Sequence, residues 1–442
     1  MESLRCRLEL RKLFILIPQF SHECNLEDLQ KKILDAIKDE EVILLAKDLI
    51  KIKSFKTEES DCARFIAKFM KKHGMEAELQ EVEDGRLQTI GRLKGTGGGP
   101  TLMFNGHMDI DPLPIGLKRD PWTPVIKDGR LYGAGIFNMK AGVTAMIMAT
   151  IAFKKAKIDL KGDIVVAAVV GELQGGVGTV HLLKKGIKAD MAVVTEPYGK
   201  DNIITTHAGV VEFAIHTYGL SKHVSEKEKG VSAIHKMMKV IDAIENVKFT
   251  YKPSPKLPGL PRLVIGSIIG GMGEDYKLNG TNFVPDICTI LVDVRFAPGM
   301  SPETIKKDFD TALKELKKQD PELKYEIETP PDLKWKVCRV TMMPTDVPES
   351  EYVIQSVVRS HKVVTGKCMD KVGAIYPMSY AGNDTSHLWQ AGIPCCLYGP
   401  GGDYLPEQNV PLDELLTVTR VLALTALEIC TKTKKELGLK SK

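Results

Sequence analysis

Apolar positions along the chain fall into runs that alternate between a helical and a strand period. From Asp28 onward, Leu29, Ile33, Leu34 and Ile37 recur at helical spacing, and Val42, Leu45, Ala46, Leu49 and Ile50 repeat the pattern, which predicts two amphipathic helices at the start of the fold. Strand-like pieces follow at Glu76–Val82 and Gln88–Leu93, then a glycine turn at Gly95–Gly99. The apolar run Thr101–Phe104 ends in Asn105-Gly106-His107-Met108-Asp109. A buried strand giving way to a polar loop is the usual place for function in a strand-and-helix domain. The pattern then predicts a helix over Ala141–Lys154, a strand over Asp163–Val170, a loop Gly171–Gly178, a helix Thr179–Lys185 and a strand Asp190–Val194. Alternation of this kind predicts an α/β domain with a central, mostly parallel sheet.

The middle third reads differently. Val210–Thr217, Arg262–Ile269 and Asp286–Val294 are strand-like, and Ser232–Ile244 and Pro302–Lys317 helix-like, the order of a small ferredoxin-like α+β sandwich. Alternation resumes after residue 330, through Gly392–Tyr398 and a final helix, Leu412–Leu437. The layout expected is a discontinuous α/β domain, 28–206 with 331–442, interrupted by an inserted α+β domain at 207–330. Residues 1–27 form an N-terminal extension to which no function is assigned.

Composition narrows the function classes. Across 442 residues, 61 Lys+Arg stand against 57 Asp+Glu, a formal charge of +4, whereas dedicated nucleic-acid binders carry far more basic domains. The longest apolar run near the start, Leu13–Pro18, is far too short to span a bilayer. Nine cysteines without C-x-x-C spacing suggest free thiols in a reducing compartment, hence the cytoplasm.

Residues with chemistry cluster where strands end. His107 and Asp109 set an imidazole and a carboxylate two residues apart, the spacing at which a carboxylate can orient a metal-binding histidine. Downstream come Gly133-Ala134-Gly135-Ile136-Phe137-Asn138-Met139-Lys140, Gly171-Glu172-Leu173-Gln174-Gly175-Gly176 and Thr195-Glu196-Pro197. The middle third adds Ser221-Lys222-His223, Gly280-Thr281-Asn282 and Asp293-Val294-Arg295, and the last third Gly382-Asn383-Asp384 and Gly399-Pro400-Gly401.

In this order and spacing, the set resembles the dizinc aminoacylase and carboxypeptidase family, which includes acetylornithine deacetylase, succinyl-diaminopimelate desuccinylase and glutamate carboxypeptidase. The resemblance spans roughly residues 28 to 435. It implies a catalytic α/β domain and an inserted domain acting as lid and dimerisation surface, with hydrolysis of an amide bond in a small carboxylate-bearing substrate. Carried over residue by residue, it makes His107 and Glu196 ligands of one zinc, Asp109 the residue orienting His107, and Glu172 the general base. His223 matches a lid histidine that polarises the scissile carbonyl, usually across the dimer. Asn282 and Arg295 match residues gripping the substrate's carboxylate, and Asn138, Gly382, Asp384 and Gly399 line the substrate site.

Three positions depart from the family pattern. The bridging aspartate falls on Asn138, the glutamate after the base on Leu173, and the C-terminal histidine on Tyr404. Two ions about 3.5–4 Å apart need anionic ligands between them, and leucine offers no lone pair. The expectation is therefore no metal or one divalent ion, zinc or manganese, and not a two-metal site. Glu172 then does the proton work, with His223 and the Tyr404 hydroxyl as candidate electrophiles. Two other readings follow from the same residues: a non-catalytic small-ligand-binding paralogue, and a metal-free lyase using Glu172 as acid and base. The expected partners are a small amide substrate and a second copy of the chain, with neither nucleic acid nor membrane.

Overall fold

The computed structural model describes residues 23–439, apart from 274, 277–279, 405 and 406. Residues 1–22 of the expected extension, and the last three of the Lys-rich tail, lie outside the described residues. Residues 23–27 belong to the first helix, Glu23–Asp35, which starts earlier than the hydrophobic period suggests.

Eight strands form the main sheet, in the order Glu76–Glu83, Arg86–Leu93, Ile164–Val169, Leu102–His107, Met191–Val194, Cys395–Leu397, Asn202–Ile204 and Lys371–Gly373. The four central strands run parallel, with antiparallel pairings towards both sides. Their sequences are apolar without alternation: every residue of Ile164–Val169 and Met191–Val194 is buried, as expected of parallel strands covered on both faces. Helix Ala141–Ala156 packs against this sheet and against the final helix, Leu412–Cys430. The segment Ile136–Ala156 is long and apolar enough to cross a membrane by length and composition, yet 89% of its apolar window is buried within the fold.

The second sheet is antiparallel, in the order Arg262–Gly271, Ile287–Phe296, Gly209–Tyr218 and Lys324–Glu328. Helices Ala233–Glu245 and Pro302–Gln319 cover it, completing the ferredoxin-like order. Ser232 and Ser301 cap the two helices, each hydroxyl accepting from a backbone N–H three residues on. Each sheet has its own apolar core. The segment returning from the second sheet is tied to both sheets: Met342 exchanges backbone hydrogen bonds with Val210, and Arg339 N donates to the Gln174 carbonyl.

The strand ends of the central sheet meet along one edge. His107 closes its strand, Glu172 lies three residues beyond Val169, Glu196 two beyond Val194, and Gly399 two beyond Leu397. A Cβ at Gly399 would lie 2.3 and 2.4 Å from the carbonyl oxygens of Thr195 and Glu196, so only glycine lets these two strand ends approach.

Candidate active site

The floor of the site is built around one buried imidazole. Nδ1 of His107 lies 2.8 Å from the Asp109 carbonyl oxygen, a contact that orients the ring. Nε2 faces the cluster, 3.1 Å from Asn138 Oδ1, 3.6 Å from Glu196 Oε1 and 3.8 Å from Glu172 Oε2. Ligand atoms of His107, Glu172 and Glu196 lie within 4.8 Å of one another, close enough to hold a metal ion. Asp109 also organises the neighbouring turn. Its carboxylate accepts from the backbone N–H groups of Glu172 at 3.3 Å and Leu173 at 3.0 Å, which fixes the turn carrying Glu172.

Behind that turn stands Arg86, buried at 4% exposure. Its guanidinium donates to both oxygens of the fully buried Glu59 and, through Nη1, to Gln174 Oε1 at 2.8 Å. The Glu172 turn is thus gripped from the imidazole side by Asp109 and from the sheet side by Arg86.

Burial and like charge dominate the electrostatics. Burial alone would lower the His107 pKa, but Asp109, Glu196, Glu172 and Asp384 raise it to about 10. Burial pushes the Glu172 carboxyl well above the usual carboxylate range and Glu196 also upward, His107 acting against it in both cases. Asp384, likewise buried, rises to about 7.

Above the floor is a cavity of about 280 Å³. Asn138, Glu172, Leu173, Glu196 and Gly382 line it from the α/β side, and Glu212, Asp293 and Arg295 from the second sheet. Lys56 and Asp111 form part of its wall, 3.6 Å apart.

The structure therefore brings together His107, Asp109, Asn138, Glu172 and Glu196, sets Asp384 and Gly399 behind them, and adds Gly382 and Arg295 to the cavity wall. His223 and Asn282 lie elsewhere, exposed on the surface of the inserted unit: the His223 ring packs edge-on against Phe283 at 5.5 Å, outside the cavity of its own chain. Tyr404 gives its hydroxyl proton to Asp111 at 2.6 Å, so that proton is committed rather than free to polarise a carbonyl. The fork of Arg295 is occupied too, donating through Nε and Nη2 to Asp293 at 2.7 and 2.9 Å. Sequence reading missed Lys56, Asp111, Glu212 and the Glu59–Arg86–Gln174 network. Of these only Asp111, two residues beyond Asp109, carried a positional signal.

An acid-and-imidazole floor at the carboxyl ends of parallel strands, faced by a ferredoxin-like α+β unit, is where a two-lobed α/β enzyme places its active site. The model of peptidase family M20/M25/M40 matches residues 103–428; the chain belongs to that family, and is accordingly a hydrolase acting on amide bonds. Among curated relatives, it is 26% identical over 438 residues to the N-formyl-4-amino-5-aminomethyl-2-methylpyrimidine deformylase of Bacillus subtilis (strain 168), covering 92% of this chain and 98% of that protein. It is 29% identical over 289 residues to the succinyl-diaminopimelate desuccinylase of Wigglesworthia glossinidia brevipalpis, covering 62% and 73%. Similar solved structures include human carnosine dipeptidase 1 (TM-score 0.71, 15% identity, 90% of this chain and 99% of that one) and the aminopeptidase PepT of Bacillus cereus ATCC 10987 (TM-score 0.64, 20% identity, 89% and 99%). At such identities these likenesses establish the fold.

Proposed function

We propose that the chain removes an acyl group from a small amine by amide hydrolysis, with Glu172 as the proton-transferring group and ligands for at most one divalent ion. The observation carrying this reading is the convergence of Glu172, Glu196 and Asn138 on Nε2 of His107 at the cavity floor. Two relatives whose names describe removal of an acyl group, a deformylase and a desuccinylase, support the reaction type.

The donor set fits one cation. Buried carboxylates crowded around a single imidazole leave an excess of negative charge that a divalent ion relieves. One imidazole nitrogen, carboxylate oxygens and an amide oxygen suit zinc or manganese. The ion would be held by His107 and Glu196 with Asn138, and when bound would supply Lewis-acid polarisation of the substrate carbonyl. The three positions that the family resemblance gives to a second ion do not fit one: Leu173 has no donor atom, Asn138 is neutral, and the Tyr404 hydroxyl is engaged by Asp111.

The chain's own residues account for the rest. Asp109 holds the Glu172 turn through two backbone N–H groups and leaves the Glu172 carboxyl facing the cavity. Its upward-shifted pKa suits a group that takes a proton from water and returns it to the leaving amine. The carboxylate that the family resemblance gives to the substrate is not part of this proposal, because Asp293 already fills the Arg295 fork.

The proposal extends to organisation: residues 28–206 and 331–442 form the catalytic unit, 207–330 the lid, and two copies associate through the lid. Support for the dimer comes from the lid's edge strand, which exposes Val264, Ile268 and Ile269, and from Ile234 and Met238, exposed on helix Ala233–Glu245. Partnering would also give the exposed His223 a second chain to act upon. Cys62, Cys288, Cys338, Cys395, Cys396 and Cys430 are buried thiols outside any disulfide, which accords with a reducing cytoplasm.

The test uses N-formyl and N-succinyl amines with the wild type and Glu172→Gln, alongside elemental analysis of the purified protein. The expected result is turnover that falls roughly 10²–10⁴-fold in the variant, with no more than one zinc or manganese ion per chain. Unchanged turnover in the variant, or two ions per chain, would overturn the corresponding half of the proposal. Binding of the amides without turnover would favour the non-catalytic paralogue.

A further inference from the structure

The cavity has a second charged wall, on the lid, that the hydrolytic reading does not use. Glu212 and Asp293 sit directly opposite each other on adjacent antiparallel strands, and both line the cavity. Like charges in this register repel. Arg295, two residues along from Asp293 and so on the same face, offsets one of them through its bidentate pair with Asp293. Glu212 is left with a backbone donor, the N–H of Cys338 at 3.0 Å, and forms no ion pair among the described residues. The other cavity cation, Lys56, faces Asp111 at 3.6 Å. Counted as charges, the lid wall holds two carboxylates against one guanidinium, and the side wall one carboxylate against one ammonium.

We infer that Glu212 receives a cationic group on the substrate, so that the enzyme selects amides whose far end carries a protonated amine or amidine. The inference rests on the amide-hydrolase reading of the same cavity and adds the substrate class to it. The cavity and its acid–base floor, rather than the acid pair alone, mark this as a place for a ligand. A negatively charged substrate would meet the Glu212 carboxylate without a free fork to receive it. A neutral one would leave Glu212 half-buried and without an ion pair, a condition already visible in its carboxyl, which burial first and Asp293 second raise to about 7 even though the Cys338 N–H, Lys56 and Arg295 pull it down. A protonated amine supplies the missing partner through a charge-assisted hydrogen bond. At about 280 Å³ the cavity is at the small end of ligand pockets, so the cation belongs on a short chain or a single ring.

Three amides that share an acyl group and chain length test the inference: monoformylated propane-1,3-diamine (cationic), N-formylpropylamine (neutral) and N-formyl-β-alanine (anionic). Binding is measured by calorimetry on Glu172→Gln, and kcat/KM on the wild type. The expected order is cationic over neutral over anionic, with the cationic amide favoured roughly tenfold to a hundredfold, the range of a charge-assisted hydrogen bond. In Glu212→Gln the cationic-to-neutral ratio should collapse towards one. In Asp293→Asn, which frees the Arg295 fork, the anionic amide should gain on the other two, and this second variant keeps the test decisive if the first folds poorly. Equal binding of the three, a preference for the anion, or a cationic preference that survives Glu212→Gln would overturn the inference. Cation-selective binding without turnover would sink the hydrolase reading alone, whereas turnover blind to charge would sink only the inference.

Discussion

Arg86→Leu offers a sharp test of how the active-site turn is held. Arg86 begins the second strand of the main sheet at 4% exposure, and its partner Glu59 is fully buried. The guanidinium reaches Glu59 through Nε at 3.0 Å and Nη2 at 2.5 Å, and Nη1 bridges Glu83 at 3.0 Å and Gln174 at 2.8 Å. Glu83 keeps a second cation, Arg339, but Glu59 has no other ion-pair partner among the described residues. Breaking a buried pair from one side strands the other charge, at about 3–5 kcal/mol. That is the loss expected at pH 8 in urea unfolding. The pH dependence gives an internal check. Burial already holds the Glu59 carboxyl above its usual value, with Arg86 pulling it down, so removing Arg86 raises it further. For a carboxyl whose folded pKa exceeds the unfolded one, the penalty is full above the folded pKa and vanishes below the unfolded value near 4.5. The gap between variant and wild type should therefore narrow as the pH falls from 8 towards 5. Adding Glu59→Gln should recover most of the loss, because the stranded charge is gone. A loss below about 1 kcal/mol at pH 8, or a double variant no more stable than the single one, would refute the reasoning.

Three further outcomes follow from the same structure. A Cβ at Gly142 would lie 2.0 Å from the Thr195 carbonyl oxygen, so Gly142→Ala should destabilise by about 1–3 kcal/mol and weaken the zinc binding proposed at the adjacent Glu196; equal melting temperature and equal calorimetric affinity would contradict this. Val264→Lys with Ile268→Lys places two charges on the exposed lid edge, and light scattering should then report monomers, an unchanged dimer mass counting against that face as the interface. Dialysis against a chelator should reduce turnover of a formyl amide, with one equivalent of zinc or manganese per chain restoring it; a requirement for two would show that the positions of Asn138, Leu173 and Tyr404 had been misjudged.

The parts of this molecule that the sequence discloses share a cause. His107, Glu172, Glu196 and Gly399 each lie within three residues of the end of an apolar run. Because the four central strands run parallel, any residue just beyond such a run must arrive at the same sheet edge. Parallel order converts four separate local signals into one site, so the floor can be expected without any knowledge of tertiary contacts. The first helix begins at Glu23, ahead of its hydrophobic period, and its residues Leu26, Glu27 and Asp28 are exposed, so no apolar stripe is required there.

The lid wall obeys a different logic. Glu212 and Asp293 are 81 residues apart in an antiparallel sheet, and only the register Glu212↔Asp293 makes them opposite. A slip of one position would turn either carboxylate to the other face of the sheet. In sequence each reads as an ordinary polar position of an alternating strand, and Arg295 reads as a cation free to grip an anion. The register reverses that meaning, because it supplies Arg295 with a carboxylate of its own and leaves Glu212 without an ion pair among the described residues. The sign of charge that this cavity selects is thus decided by pairing rather than by the residue types alone. For that reason Asp293→Asn, which alters no group on the cavity floor, should shift substrate preference towards anions, while Glu172→Gln should cut turnover roughly 10²–10⁴-fold and leave the binding preference in place.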